Sequence, residues 1–279
     1  MAVLKDSVVN PFATISEAYD RFRPRYPEGF FYQVFAEVGR TGKPLYRLID
    51  IGCGTGISTR QFYEVFRHQA SITGIDASPE MLQVARSGGK KKDLEYIEGL
   101  AEDLPVPTRS CSVVAACQAV QWFNRPKFYA EVERVLRPSG LLVIVQNNRA
   151  YKRSAFLADF EALLEQVSPG YDRTYREINF ESEIALRDMF ESHVSMHCVW
   201  YRTFDSGEFE QFTLTSSKVQ AAVQNIGIGE WRRRIRALWL RHHGKSANGK
   251  IHYESQMFMF RAKKPKRSRR RQGNRVSFA

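Results

Sequence analysis

The sequence predicts an α/β fold in which a mostly parallel sheet is flanked by helices. Three observations carry that expectation. Residues 48–56 run Leu48-Ile49-Asp50-Ile51 and then alternate glycines at Gly52, Gly54 and Gly56, which reads as a buried strand turning into a helix. A second apolar run, Ser71 to Ile75, ends in Asp76, twenty residues beyond the last of those glycines. Further apolar runs then alternate with helix start and stop signals as far as Val145, as parallel strands joined by crossover helices do.

At the first strand the glycines leave no Cβ, so Gly52, Gly54 and Gly56 should let a small molecule lie against the main chain. Asp76 closes the second strand at the carboxyl edge of the sheet, where a carboxylate can accept hydrogen bonds from a ribose diol. A dinucleotide fingerprint needs a glycine at position 57, where this chain has Ile57, and no Lys-Ser/Thr pair follows to cradle a phosphate. The next helix should begin at Ser78-Pro79-Glu80, with Ser78 as cap, Pro79 in the first helical position and Glu80 favouring the dipole. Leu94 to Glu98 reads as the third strand, followed by the loop Gly99 to Pro105. Val113 to Cys117 is the fourth strand, and the turn Gln118 to Asn124 follows it. A helix bearing Glu131, Val132, Arg134, Val135 and Leu136 should stop at Arg137-Pro138-Ser139-Gly140. Leu141 to Val145 is then the fifth strand.

The glycine-rich segment and Asp76 resemble motif I of the class I S-adenosylmethionine-dependent methyltransferases. Gln121-Trp122-Phe123-Asn124 and Arg134 to Gly140 resemble the methyltransferase type 11 group, where the corresponding turn ends in His-Trp-Phe-Asp. Tyr19-Asp20-Arg21-Phe22-Arg23-Pro24-Arg25-Tyr26-Pro27 is similar to a segment of trans-aconitate methyltransferase-like small-molecule enzymes. The likeness is strong over residues 12–148 and weak over 149–262. It implies a Rossmann-like, seven-stranded, mostly parallel sheet with one antiparallel strand and a helical cap inserted after strand 5. It also implies S-adenosylmethionine as cofactor, S-adenosylhomocysteine as product, and methylation of a small molecule at oxygen, a carboxylate being one candidate acceptor. The cofactor-binding residues it implies are Tyr19, Arg23, Asp50, Gly52, Gly54, Gly56, Asp76, Ala77, Met81, Ala101, Glu102 and Gln118. Met81 would pack on the adenine face, and Arg23 would meet the methionyl carboxylate. Gln121 and Tyr26 are the catalytic candidates, and no metal is expected.

A sulfonium methyl is already activated, so the enzyme chiefly has to align a nucleophile. Relatives offer a histidine where this chain has Gln121, which cannot take a proton at neutral pH. Either the nucleophile arrives ionised, as a carboxylate does, with Arg23, Arg149, Lys152 or Arg153 orienting it, or another group such as Tyr19, Tyr26, His193 or His197 is the base. Leu100 and Ser112 also stand where relatives carry aspartates. Together with Gln121 they motivate a third reading, a binding protein impaired in catalysis.

The 279 residues can bury a substantial core. We expect one domain over residues 1–262, with lid helices at 1–40, a cofactor-binding core at 44–148, a substrate cap at 149–195 and terminal strands with a helix at 196–262. In the cap, Phe156, Phe160, Leu163, Leu164 and Val167 recur at helical spacing. Met196 to Phe204 and Ile251 to Phe260 read as the last strands. Between them Trp231, Ile235, Leu238 and Trp239 share one helical face, opposite Arg232, Arg233, Arg234, Arg236 and Arg241. Of the net charge of +12, nine positive charges fall from Arg261 onward, leaving +3 for residues 1–260. Residues 263–279 are expected to be a disordered basic tail. A nucleic-acid methyltransferase or binder using that tail is the alternative function, less favoured because no target-base motif follows the fourth strand. Cys53, Cys111, Cys117 and Cys198 lack paired metal spacing and are expected to be reduced. No long apolar run or leader pattern is present, so a cytoplasmic protein without a membrane span is expected. Nothing in the sequence sets the oligomeric state.

Overall fold

A computed structural model describes residues 11–244 and 248–264. Helices α1 (Pro11–Phe22) and α2 (Glu28–Gly39) precede a βα repeat: β1 (Arg47–Ile51), α3 (Ile57–Phe66), β2 (Ser71–Asp76), α4 (Pro79–Ser87), β3 (Leu94–Glu98), β4 (Cys111–Cys117), α5 (Arg125–Val135) and β5 (Leu136–Arg149). Then come α6 (Ala155–Val167), α7 (Phe180–Ala185), β6 (Phe190–Asp205), α8 (Ser206–Leu214), α9 (Ser217–Ile226), α10 (Ile228–His243) and β7 (Asn248–Ala262). The sheet has seven strands in the order β3-β2-β1-β4-β5-β7-β6. Strands β1 to β5 pair in parallel, and β7 lies antiparallel between β5 and β6.

Both faces of the sheet are covered, so its central strands are largely apolar. Alternation within β4 shows the division. Val113, Ala115 and Cys117 join Phe30, Phe31 and Val34 of α2 and Phe62 and Phe66 of α3. Val114 and Ala116 point the other way, to Phe128, Val132 and Val135 of α5 and Phe180 and Ile184 of α7. A third cluster joins the covering helices to the last strands: Phe156, Phe160 and Leu164 of α6 pack with Phe209 and Phe212 of α8, Val219 of α9, Trp231, Ile235 and Trp239 of α10, Phe204 of β6 and Ile251 and Tyr253 of β7.

Several boundaries differ from the sequence reading. Helix α5 ends at Val135, and Leu136 is already paired with Cys111 on β4. The segment Arg137 to Gly140 therefore belongs to the entry of β5, where Ser139 takes φ 68°. Strand β6 starts at Phe190, so residues 190–195, expected in the cap, are sheet. The covering layer is not one insertion after strand 5. It combines α6 with three helices between β6 and β7, where one helix was expected, while α7 packs on the sheet. Residues 265–279, most of the expected tail, lie outside the described residues. All four cysteines are free, and no described helix is long and apolar enough to cross a membrane.

Candidate active site

The carboxyl ends of β1, β2 and β4 open into a cavity of about 720 Å³. Its floor is the turn between β1 and α3, held by main-chain bonds: Gly52 N and Cys53 N donate to Ile75 O at 2.8 and 3.1 Å. Gly54 N donates to Asp76 Oδ2 at 2.7 Å, and Ser78 N donates to Asp76 Oδ1 at 2.9 Å. Asp76 thus ties the glycine turn to the start of α4. A carboxylate has about four acceptor sites, so each oxygen can still receive a hydroxyl from the cavity.

The three glycines all have positive φ, at 66°, 54° and 82°, yet they serve different neighbours. A Cβ on Gly52 would lie 2.5 Å from Ala119 Cβ, and one on Gly56 would lie 2.6 Å from the Tyr96 hydroxyl. A Cβ on Gly54 would meet nothing within 4 Å. Gly52 and Gly54 line the cavity and Gly56 does not, which corrects the expectation that all three abut a ligand. Gly56 is left-handed at the N-cap of α3 and makes room for Tyr96.

Asp50 is also displaced from its expected role. It is fully buried beneath the turn, where its Oδ2 accepts from Ser58 Oγ and Thr59 Oγ1, both at 2.6 Å. Its Oδ1 has no partner among the described residues. Burial raises its pKa to about 6, against the pull of the two hydroxyls. It does not line the cavity.

One wall carries Ala77 and Met81 from the start of α4, with Leu100, Ala101 and Glu102 from the loop after β3. Ser78 caps α4 as expected, its Oγ accepting from Met81 N at 3.3 Å. Glu102 Oε1 accepts from Asn124 N at 2.6 Å, leaving Oε2 for a donor. The opposite end holds Tyr19 and Arg23, at and just beyond the end of α1. The Arg23 guanidinium lies over the rings of Tyr19 (4.8 Å) and Phe212 (5.5 Å), and its Nη2 donates to Thr215 O at 3.0 Å. Its Nε has no partner among the described residues.

Gln118 and Gln121 both reach this cavity. Gln118 adopts φ 55°, uncommon for a residue with a Cβ and often found where a site is held under strain. Its side chain is fixed by Asn147 N (2.6 Å to Oε1) and Asn148 Oδ1 (3.1 Å from Nε2). Gln121 Nε2 donates to Gln118 O at 2.8 Å, so its oxygen is available as an acceptor. No His, Lys or Cys is among the cavity-lining residues.

Tyr26, the other catalytic candidate, lines a separate cleft of about 70 Å³ beside Cys117 and Ser58. Burial raises its pKa well above the usual phenol value, so it stays protonated and is no base. His193 lies against Glu181, and His197 is on β6; neither lines the cavity. Ser112 is at the opposite edge of the sheet, accepting from Tyr46 N at 3.2 Å, so its departure from relatives does not concern this site.

Three of the four proposed orienting cations are already paired. Arg149 meets Glu161 at 2.7 Å, Lys152 meets Glu177 at 2.9 Å and Arg153 meets Glu254 at 2.5 Å. Two contributors were missed. Arg176, between α6 and α7, lines the cavity, as do Thr215, Ser216 and Ser217 at the α8–α9 junction and Gln220, Ala221 and Gln224 of α9. Arg176 has no local sequence signature. Helix α8 does have one: Asp205 and Glu208 form a reciprocal capping box.

Residues 49–144 match the methyltransferase domain family. A malonyl-[acyl-carrier protein] O-methyltransferase of Hahella chejuensis is 32% identical over 143 residues, 51% of this chain and 50% of that protein. A phthiotriol/phenolphthiotriol dimycocerosates methyltransferase of Mycobacterium leprae is 31% identical over 153 residues, 54% of this chain and 53% of that protein. The chain thus spans about half the length of such curated relatives. A solved structure from Anaeromyxobacter dehalogenans, assigned as a type II methyltransferase, superposes with a TM-score of 0.58 at 22% identity, covering 87% of this chain and 98% of that one. The matched residues span the glycine turn, Asp76 and the turn after β4, so residues 49–144 carry a methyltransferase domain.

Proposed function

We propose that the cavity binds S-adenosylmethionine and that the protein transfers its methyl group to an oxygen of a small acidic molecule. The observation that carries this reading is the pairing of Asp76 with Gly54. A carboxylate with spare acceptor sites faces the cavity beside a main chain whose Cβ direction is open.

The residues fit the ligand part by part. Asp76 would take the ribose hydroxyls, Met81, Leu100 and Ala101 the adenine faces, and Glu102 Oε2 its amino group. Tyr19, Arg23 and the fixed amide of Gln118 would receive the amino-acid arm. The free donor of Arg23 suits that arm's carboxylate.

When bound, S-adenosylmethionine supplies a methyl group already activated by its sulfonium. What remains for the chain is alignment, which can contribute roughly 7–11 kcal/mol. Trp122 and Phe123 on one side and Thr215 to Gln224 on the other wall off the acceptor space. Gln121 can orient an acceptor through its oxygen but cannot remove a proton. With no His, Lys or Cys in the lining, and with its two carboxylates tied to main-chain N–H groups, an oxygen that is already ionised suits the site, and a carboxylate has no proton to lose. The malonyl group named for the Hahella relative ends in a carboxylate, and the likeness of Tyr19 to Pro27 to trans-aconitate methyltransferases points the same way.

Titration calorimetry with S-adenosylhomocysteine tests the assignment. Asp76→Ala should weaken binding by about 1.5–3 kcal/mol, the worth of hydrogen bonds to a charged group. Equal affinity in the variant removes Asp76 from the site.

A further inference from the structure

We propose that Arg176 is the anion anchor of the acceptor subsite, pairing with a carboxylate of the molecule to be methylated. The inference rests on the reading of the cavity as a methyl-transfer site and names the group that selects its substrate.

Two cations line the cavity, and they differ in what surrounds them. Arg23 is shared with the narrow cleft beneath the glycine turn and already donates to Thr215 O. Arg176 is shared instead with a neighbouring pocket of about 350 Å³ that also holds Gln146, Asn148, Tyr151 and Asn179. Around that pocket the positive side chains are neutralised: Arg149 by Glu161, Lys152 by Glu177 and Arg173 by Glu165. Among the described residues Arg176 has no carboxylate partner, and its Nε makes no hydrogen bond. Its guanidinium rests over Tyr175, 4.7 Å from the ring centre.

The groups that act on it do not neutralise it. Arg149 and Arg23 repel it, and Glu161, whose carboxyl senses it, gives its oxygens to Arg149 and Tyr171. Burial pushes its pKa below the usual arginine range. Arg176 is half-buried at the edge of two pockets, and a guanidinium partly withdrawn from water with no counter-charge gains from a ligand that supplies one. Its planar fork matches the two oxygens of a carboxylate. The lining acids Asp76 and Glu102 are held by the main-chain N–H groups of Gly54, Ser78 and Asn124.

The full chain saturated with S-adenosylhomocysteine is titrated calorimetrically with citrate, glutarate and other short carboxylic acids, and with the corresponding amides. At least one acid should bind while its amide does not. Arg176→Met should weaken that acid about ten-fold or more, and Arg176→Lys should recover part of the loss. Affinity for S-adenosylhomocysteine should be the same in all three proteins, which separates loss of the anchor from a general disturbance of the fold. The proposal is overturned if no acid binds, if acids and amides bind alike, or if Arg176→Met binds the acid as the wild type does. Loss of S-adenosylhomocysteine affinity in Arg176→Met would reassign the residue to the cofactor arm. Absence of that affinity in the wild type would defeat the methyl-transfer reading itself, and this inference with it.

Discussion

Asp50 is a carboxyl group placed where its charge is unwelcome, yet next to two hydroxyls that favour the charge. Burial wins, and the pKa settles at about 6 instead of 3.8. A carboxyl raised in the folded state binds more protons there than in the unfolded chain, so stability should fall as pH rises from about 4 through about 6. A shift of that size is worth about 3 kcal/mol. Asp50→Asn keeps an acceptor for Ser58 and Thr59 and removes the charge. Urea titrations across that window should show the wild type losing stability towards neutral pH while the variant stays level; parallel curves would place the pH dependence elsewhere. Much of the site could be read at this scale because glycine and the acids that end strands have few alternative uses. Asp76, Gly54 and the Ser78 cap sit where their residue types predict. Gly56 and Asp50 carry the same local pattern and face inward, since which side of a turn a residue presents depends on the helix packed beneath it. Arg176 escaped notice for the converse reason: an arginine differs from its paired neighbours only through contacts with residues distant in sequence.

Helix α10 shows how far periodicity reaches. Trp231, Ile235, Leu238 and Trp239 are buried on one face, as their spacing predicts. The five arginines opposite are each paired: Arg232 and Arg236 with Glu210, Arg233 and Arg234 with Glu230, Arg241 with Asp159. Trp231 is fully buried between α6 and α8 and donates through Nε1 to Thr213 Oγ1 at 3.3 Å. Trp231→Ala should therefore cost about 3–5 kcal/mol, the range for emptying such a site. Because α8 and α9 roof the cavity, the same change should weaken S-adenosylhomocysteine binding without touching its contacts; denaturant titration together with calorimetry reads both effects. Unchanged stability would mean that the layer closes over the missing ring. Helices α8 and α9 were not anticipated because short helices give few turns over which a period can repeat. The full length of β6 was hidden by its exposed face, where polar and apolar residues mix.

Across the whole molecule the charge is unevenly placed, with nine basic residues and no acid from Arg261 onward. Lys263 is still anchored, its N donating to Met189 O at 2.7 Å and its ammonium paired with Asp188. The cut that isolates the tail therefore falls after Lys264. Deletion of residues 265–279 should leave methyl transfer to a small acid unchanged, as read by S-adenosylhomocysteine formation. A nucleic-acid enzyme would instead lose salt-sensitive binding and turnover together. The five parallel strands were legible because each closes on a turn or helix signal, as strands joined by crossover helices do, whereas the seven-stranded sheet was implied by the family resemblance. The division of the covering layer between two stretches of chain was not, since it depends on which apolar faces meet after the sheet has formed.

The most direct test is a crystal structure determined with S-adenosylhomocysteine bound. The ribose hydroxyls should lie within hydrogen-bonding distance of Asp76, the amino-acid arm should cross the main chain at Gly54 towards Arg23, and Arg176 should be left free on the acceptor side. An empty cavity, or a nucleoside bound away from Asp76, would contradict the account.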